Sequence, residues 1–485
     1  MSLDANACFR AVRARDRRFD GRFFVAIAST GIYCRPICPA RQAKRENMSF
    51  FVSAASAEGQ GFRPCLRCRP ERAPGLAPMD AVSRLVGAAI AGIETHALSS
   101  ARVCELAASL GVSDRHLRRI TEAELGVSPI ELAQTFRLLL AKRLLRDTSL
   151  SQTQIAFASG FGSVRRFNAL FKERYGLIPS ALRGNAVLAD GLRVELEFRP
   201  PLQWDCLLEY LRLRAIPGVE SVDETHYRRT VAIGDHAGWI GVSMSEPRNE
   251  FRHTLNLEIS PALAPVIGAV IARVKQLFDL GAFPDAVSAQ LSLDSDLADI
   301  VRRLPGLRVP GAFDAFEIAV RAILGQQVSV KAASTLAGRW ARAFGAAIET
   351  PYPELNRLTP TIKSMAKALP SQIAALGIVG SRAKSVVTLA GAIFKGHVML
   401  AFAANVEAQI EALERLPGIG PWTAQYIAMR TLSWPDAFPS GDLVLQRAAR
   451  ATEKQLRERA AAWRPWRAYA AHYLWQSIGL RQALG

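Results

Sequence analysis

Apolar positions change their spacing along the chain, and each change marks a structural unit. Between about 80 and 183 they recur at helical spacing in a pattern that occurs twice. Leu106-Ala107-Ala108-Ser109-Leu110-Gly111-Val112-Ser113 precedes an Arg-bearing helical stretch and Gly126-Val127-Ser128-Pro129; about fifty residues on, Ile155-Ala156-Phe157-Ala158-Ser159-Gly160-Phe161-Gly162-Ser163 precedes another and Gly176-Leu177-Ile178-Pro179. Each half predicts helix, Gly turn, helix, with Ser113 and Ser163 as N-caps. At Leu192, Val194, Leu196 and Phe198 the period becomes two, which predicts a strand, followed by a helix over 204–214 and strands near 225–233, 239–245 and 253–259. From Leu263 onward the pattern is helical with Gly/Pro punctuation and no convincing strand. The expected fold class is multidomain and mainly α: a small α+β domain with four cysteines over 1–75, an all-α duplicated unit over 80–183, an α+β subdomain with a connecting helix over 190–304, and an all-α domain over 305–485.

The length of 485 residues suits about three domains, and 49% hydrophobic with 21% charged residues excludes a disordered or collagen-like chain. A net charge of +18 points to a polyanionic partner, with nucleic acid first. Residues 1–75 carry 14 Lys and Arg against 6 Asp and Glu, and 76–185 carry 14 against 9, so phosphate contacts are expected to be densest there. Pro70–Pro78 reads as a semi-rigid linker, with a second break at 184–190. The longest apolar run near the start, Val86–Ile93, is too short for a membrane span, and the Arg-rich start lacks a signal-peptide core. A soluble intracellular protein is expected, in which the seven cysteines are not disulfides and their spacing is read first for metal or nucleophile chemistry.

Cys34, Cys38, Cys65 and Cys68 form C-x3-C-x26-C-x2-C, two close pairs suited to a closed tetrahedral Zn²⁺ site. A plain structural zinc is the simpler reading. The sharper one starts from Arg35, Arg41, Lys44, Arg45, Arg63, Arg67 and Arg69, which would hold a DNA phosphate beside a metal-bound thiolate. Thr30-Gly31-Ile32-Tyr33-Cys34-Arg35-Pro36, Arg45-Glu46-Asn47 and Gly61-Phe62-Arg63-Pro64-Cys65 closely resemble the N-terminal domain of the adaptive-response protein Ada. The resemblance implies that Cys34 accepts a methyl group from a DNA methylphosphotriester, once per protein, with Cys38, Cys65 and Cys68 completing the zinc site. Methylation lowers the negative charge of the site by one unit, so binding to DNA should tighten.

In the duplicated unit the second helices offer Arg115, Arg118 and Arg119, then Arg165, Arg166, Asn168 and Lys172. Taken singly, each is a charged solvated side chain; the repetition raises the odds of groove and phosphate contacts. The unit resembles the double helix-turn-helix domain of the arabinose-operon-regulator family, which implies two recognition helices in successive major grooves, promoter DNA as ligand and RNA polymerase as partner. No Pro-Cys-His tripeptide occurs, so a second transfer activity of the kind that ends Ada is not expected.

Leu416-Pro417-Gly418-Ile419-Gly420-Pro421-Trp422-Thr423-Ala424 joins two helical patterns. Glycines there let backbone N–H groups approach a phosphate: this is the helix-hairpin-helix signature, with an ordinary helix–helix turn as the alternative. Asp442, 22 residues after Gly420, reads locally as an N-cap. From about 190 to 485 the chain resembles the alkylated-DNA glycosylase AlkA, on Pro200-Pro201-Leu202-Gln203-Trp204-Asp205, Leu277-Phe278-Asp279-Leu280, Ala322-Ile323-Leu324-Gly325-Gln326, the hairpin, Asp442 and Trp463-Arg464-Pro465-Trp466-Arg467. The resemblance implies a monofunctional glycosylase of N3/N7-alkylated purines: Asp442 is the catalytic carboxylate, Trp422, Tyr426 and Trp475 wall the base pocket, Gly418 and Gly420 grip DNA, and Trp422 stands where bifunctional relatives place a Schiff-base Lys. Relatives insert an apolar wedge where this chain has Gln327, which can instead pair with the orphaned base or merely cap the helix beginning near Ser329.

The expectation is therefore an alkylation-damage response protein of the bacterial cytoplasm and nucleoid, a monomer without organic cofactor, acting on damaged double-stranded DNA. The competing expectation is a methylation-triggered transcription activator whose glycosylase-like half only docks DNA.

Overall fold

The computed structural model describes residues 4–75, 83–96, 102–184, 192–246, 253–400 and 403–483. They form two compact units, one of 1–199 with 245–272 and one of 200–244 with 273–485.

In the first unit the strands Phe24–Ile27 (β1), Ile32–Cys34 (β2), Met48–Phe51 (β3) and Arg63–Pro64 (β4) form a sheet of order β3-β1-β2-β4. β1 is antiparallel to β2 and β3, and β2 is parallel to β4. Alternation sends Phe23 and Val25 to a core with Cys8, Val12 and Met48, and Phe24 and Ala26 to another with Tyr33 and Ala57.

The duplicated unit is built as its spacing predicts. Ser113 caps Asp114–Leu125 and Ser163 caps Val164–Tyr175, each accepting from the backbone N–H three residues on, and Gly126 and Gly176 end these helices in the left-handed region. Between the halves runs Pro129–Asp147, opened by a Ser128–Glu131 capping box.

Buried polar joints tie this unit to the sheet domain. Glu58 accepts from Tyr33 (2.9 Å), Thr135 (3.1 Å) and Tyr175 (3.3 Å). Glu71 binds Lys142 and Arg69, whose guanidinium also grips Asp147 at 2.7 and 2.9 Å. Pro70–Arg72 is thus a packed 3-10 turn rather than a linker, because Glu71 is neutralised there; 76–78, like 185–190 of the second break, lie outside the described residues. Leu192–Glu197 (β5) pairs antiparallel with Thr254–Ile259, matching the predicted alternation except at Glu197, which is buried because Arg35 and Arg72 reach it.

The second unit contains the helix Trp204–Arg212, a meander of Glu220–Val222, His226–Ile233 and His236–Met244, and the helices beyond. The strand Glu220–Val222 was not expected from pattern; at three residues it is too short to show a period. Two hydrophobic cores fill the helical part, and the helix Pro421–Thr431 serves both: Ala424 and Ile427 enter one, Ala428 and Met429 the other.

Candidate functional site

The turn 415–420 before that helix requires its glycine. Gly418 has φ +82°, and a Cβ there would lie 2.1 Å from Ser385 Oγ, which itself donates to the Pro417 carbonyl at 2.9 Å. The Gln326 amide braces the turn from outside, donating to Gly418 O (2.8 Å) and Thr423 Oγ1 (2.9 Å). Gly420 is the N-cap and Pro421 opens the helix; with no side-chain cap, this helix N-terminus is of the kind that suits an anion.

Beside the turn is a cleft of about 870 Å³, lined by Trp422, Tyr426, Trp475, Asp442, Gln327 and Tyr210 among others. Asp442 caps the helix Leu443–Ala449, its Oδ1 accepting from Leu445 N at 2.9 Å, so the local reading of an N-cap holds. The same carboxylate takes the indole N–H of Trp422 on Oδ2 (2.9 Å) and that of Trp475 on Oδ1 (3.3 Å). The Trp422 and Tyr426 rings are parallel, with centroids 5.5 Å apart, and Trp475 stands edge-on to Tyr426 at 6.4 Å. Gln327 sits on the rim with φ +53°. A fixed anion, three electron-rich rings and a helix N-terminus thus meet in one slot.

In the first unit the sulfur atoms of Cys34, Cys38, Cys65 and Cys68 all lie within 4.8 Å of one another. The register Val25↔Cys34 and the β2–β4 pairing bring the first and third ligands together across the sheet. Four soft donors at that spacing fit a tetrahedral metal. Arg35 N donates to Cys68 Sγ at 3.3 Å.

The arginines divide. Arg115, Arg118, Arg165 and Arg166 are exposed on the two capped helices, Arg118 paired with Glu122 one turn on. Arg45 lies over the Phe9 and Phe50 rings at 5.6 and 5.2 Å. Arg35 departs from expectation: it is 3% exposed, bound to Asp20 and to Glu197 (2.6 Å), and has no free face for a phosphate. Two buried carboxylates hold it inward.

Four family models match in order: the metal-binding domain of Ada at 7–71, a helix-turn-helix domain at 106–185, the AlkA N-terminal domain at 193–314, and the HhH-GPD superfamily of base excision DNA repair proteins at 320–460. A Mycobacterium tuberculosis protein described as a probable bifunctional transcriptional activator/DNA repair enzyme AlkA is 36% identical over 491 aligned residues, covering 99% of this chain and 97% of that protein. The chain belongs to that family. Escherichia coli DNA-3-methyladenine glycosylase 2 is 37% identical over 285 residues, 59% of this chain and 97% of its own. The bifunctional transcriptional activator/DNA repair enzyme Ada of Escherichia coli is 39% identical over 137 residues, 28% of this chain and 36% of its own.

Within this AlkA family member, sequence reading missed Arg430 and Tyr210 as parts of the cleft. Arg430 had a signal, one helical turn after Tyr426; Tyr210, 216 residues from its partner Tyr426, had none.

Proposed function

We propose that the second unit hydrolyses the N-glycosidic bond of N3- or N7-alkylated purines in double-stranded DNA. The carrying observation is Asp442, set in an aromatic cleft by two indole N–H groups at the mouth of the phosphate-gripping hairpin. An alkylated purine is cationic, so the rings attract it and it leaves with the electron pair of the breaking C1′–N bond. Asp442 faces the positive sugar that remains and takes the proton of the water that adds at C1′. The residue in the hairpin place is Trp422, which cannot form a Schiff base, and the reaction stops at base release. Gln327, on the rim, is suited to hydrogen-bond the base left unpaired.

The first unit supplies the sensing half. Cys34, Cys38, Cys65 and Cys68 would hold zinc, which keeps the sulfurs as thiolates that remain nucleophilic. Cys34 Sγ attacks the methyl carbon of a methylphosphotriester; the C–O bond breaks, its electrons stay on the phosphate oxygen, and a thioether and a phosphodiester result. The duplicated helix-turn-helix, with Arg115, Arg118, Arg165 and Arg166 outward, then holds promoter DNA for RNA polymerase.

Base release from alkylated duplex DNA by wild type and Asp442→Asn tests the enzymatic reading. Asn preserves the cap and removes the charge, so release should fall at least about a hundredfold while DNA binding persists. Wild type that binds DNA yet frees no base would leave only a regulator.

A further inference from the structure

The floor of the cleft holds charges that Asp442 chemistry does not use. Arg430 is 3% exposed, and its guanidinium donates to Tyr426 Oη (2.7 Å), Tyr210 Oη (2.8 Å), Gly311 O (3.2 Å) and Pro310 O. None of these acceptors is a carboxylate. The two phenol oxygens are 3.1 Å apart, so one hydroxyl donates to the other. Arg430 serves both oxygens and one phenol serves its neighbour; the remaining phenolic proton has no acceptor within the group. The network stays fully bonded when that proton leaves.

Other charged groups face the same rings. Arg214 lies over the Tyr210 ring at 3.8 Å, and Arg321 is bound to Glu220 (3.0 Å) with Glu317 at 3.5 Å. His472, edge-on to Tyr210 at 5.1 Å, is pushed down to about 3 by burial and by Arg214 and Arg430, so it is uncharged. Asp442 is the one carboxylate among the described lining residues. Burial opposes ionisation of Tyr426, but Arg430, Arg214 and the bond from Tyr210 outweigh it and bring the phenol down to about 8, while burial holds Tyr210 above the ordinary value.

Resting on the glycosylase reading above, we propose that Arg430 is a positioning residue that fixes Tyr426 so that its phenol gives its proton to solvent when a cationic alkylpurine enters, leaving a phenolate face against the positive base. The O–H bond breaks, water takes the proton, and both electrons stay on oxygen. This adds attraction to the positive charge, which bond breaking shifts from base to sugar without removing it from the cleft, so bound state and transition state gain alike. The effect therefore falls on KM rather than kcat, and it selects cationic over neutral bases.

Two measurements on the full-length protein test this. Titrating the phenolate absorption band should show one tyrosine with a midpoint near 8 in wild type, absent from Tyr426→Phe and moved upward in Arg430→Gln. With duplex DNA bearing 3-methyladenine, KM of wild type should fall about tenfold between roughly pH 7 and 9 with kcat steady, while Tyr426→Phe stays flat; with hypoxanthine, a neutral base, neither should respond. A phenolate band confined to the ordinary tyrosine range, or one that survives in Tyr426→Phe, overturns the proposal, as does a KM profile that this substitution leaves unchanged. Total absence of base release defeats the glycosylase reading, and the absorption titration still decides the phenol.

Discussion

The Trp422 indole N–H points at Asp442 Oδ2 across 2.9 Å, so the residue that walls the cleft also aims its carboxylate. Trp422→Phe keeps an aromatic face but deletes that donor. A hydrogen bond to a charged group is worth about 1.5–3 kcal/mol, and its loss should lower kcat by roughly tenfold or more with a smaller change in KM. Single-turnover base release reads this; an unchanged kcat would mean that Leu445 N and Trp475 suffice to hold Asp442.

Arg35→Ala should destabilise the first unit by about 3–5 kcal/mol, because it strands Asp20 and Glu197 as buried carboxylates. Thermal unfolding followed by circular dichroism measures the loss. A surface phosphate contact would instead have left the melting temperature unmoved and weakened DNA binding, so the pair of readouts separates the two roles.

Glu58 gives the first unit a pH dependence of defined sign. Burial pushes its carboxyl up from 4.5 to about 7, against the pull of Tyr33, Thr135, Arg174 and Tyr175. The folded state holds a proton over that interval which the unfolded chain releases, so stability from this group is full below about 4.5 and falls as pH rises to about 7, by on the order of 3 kcal/mol. Glu58→Gln should flatten this decline. Denaturant midpoints of both proteins at about pH 5 and 7.5 give the comparison, and other titrating groups, common to both, cancel. Parallel curves would show Glu58 ionised throughout.

Cys65→Ser should lose bound metal, since it removes one of four sulfurs that lie within 4.8 Å of one another. Metal content per chain by mass spectrometry checks this. In wild type exposed to methylated DNA, the added methyl should appear on the peptide containing Cys34, and the methylated protein should bind promoter DNA more tightly at fixed salt. A methyl mass on another cysteine would reassign the acceptor.

What was legible in the sequence is what rests on local chemistry. Ser113 and Ser163 act within a turn of themselves, and the structure puts each where its spacing said. The four thiols came from pair spacing, while the gathering of Asp442 with Trp422 and Trp475 came only from family resemblance, because the carboxylate is 20 and 33 residues from the two indoles. Arg35 was misread for a related reason: a run of arginines reads as a surface, and its partner Glu197 is 162 residues away. Tyr210 escaped altogether, since its place in the cleft depends on packing between helices far apart in sequence.

Tyr33 and Arg35, the chain neighbours of Cys34, are each fastened to a different anchor, Tyr33 to Glu58 where Thr135 and Tyr175 converge, Arg35 to Asp20 and Glu197. The backbone at Cys34 is thereby clamped from both sides. A rearrangement following alkylation of that sulfur would have to be taken up by sulfur and ligand geometry, or else tug at once on the duplicated helical unit through Thr135 and Tyr175 and on the strand Leu192–Glu197 through Glu197.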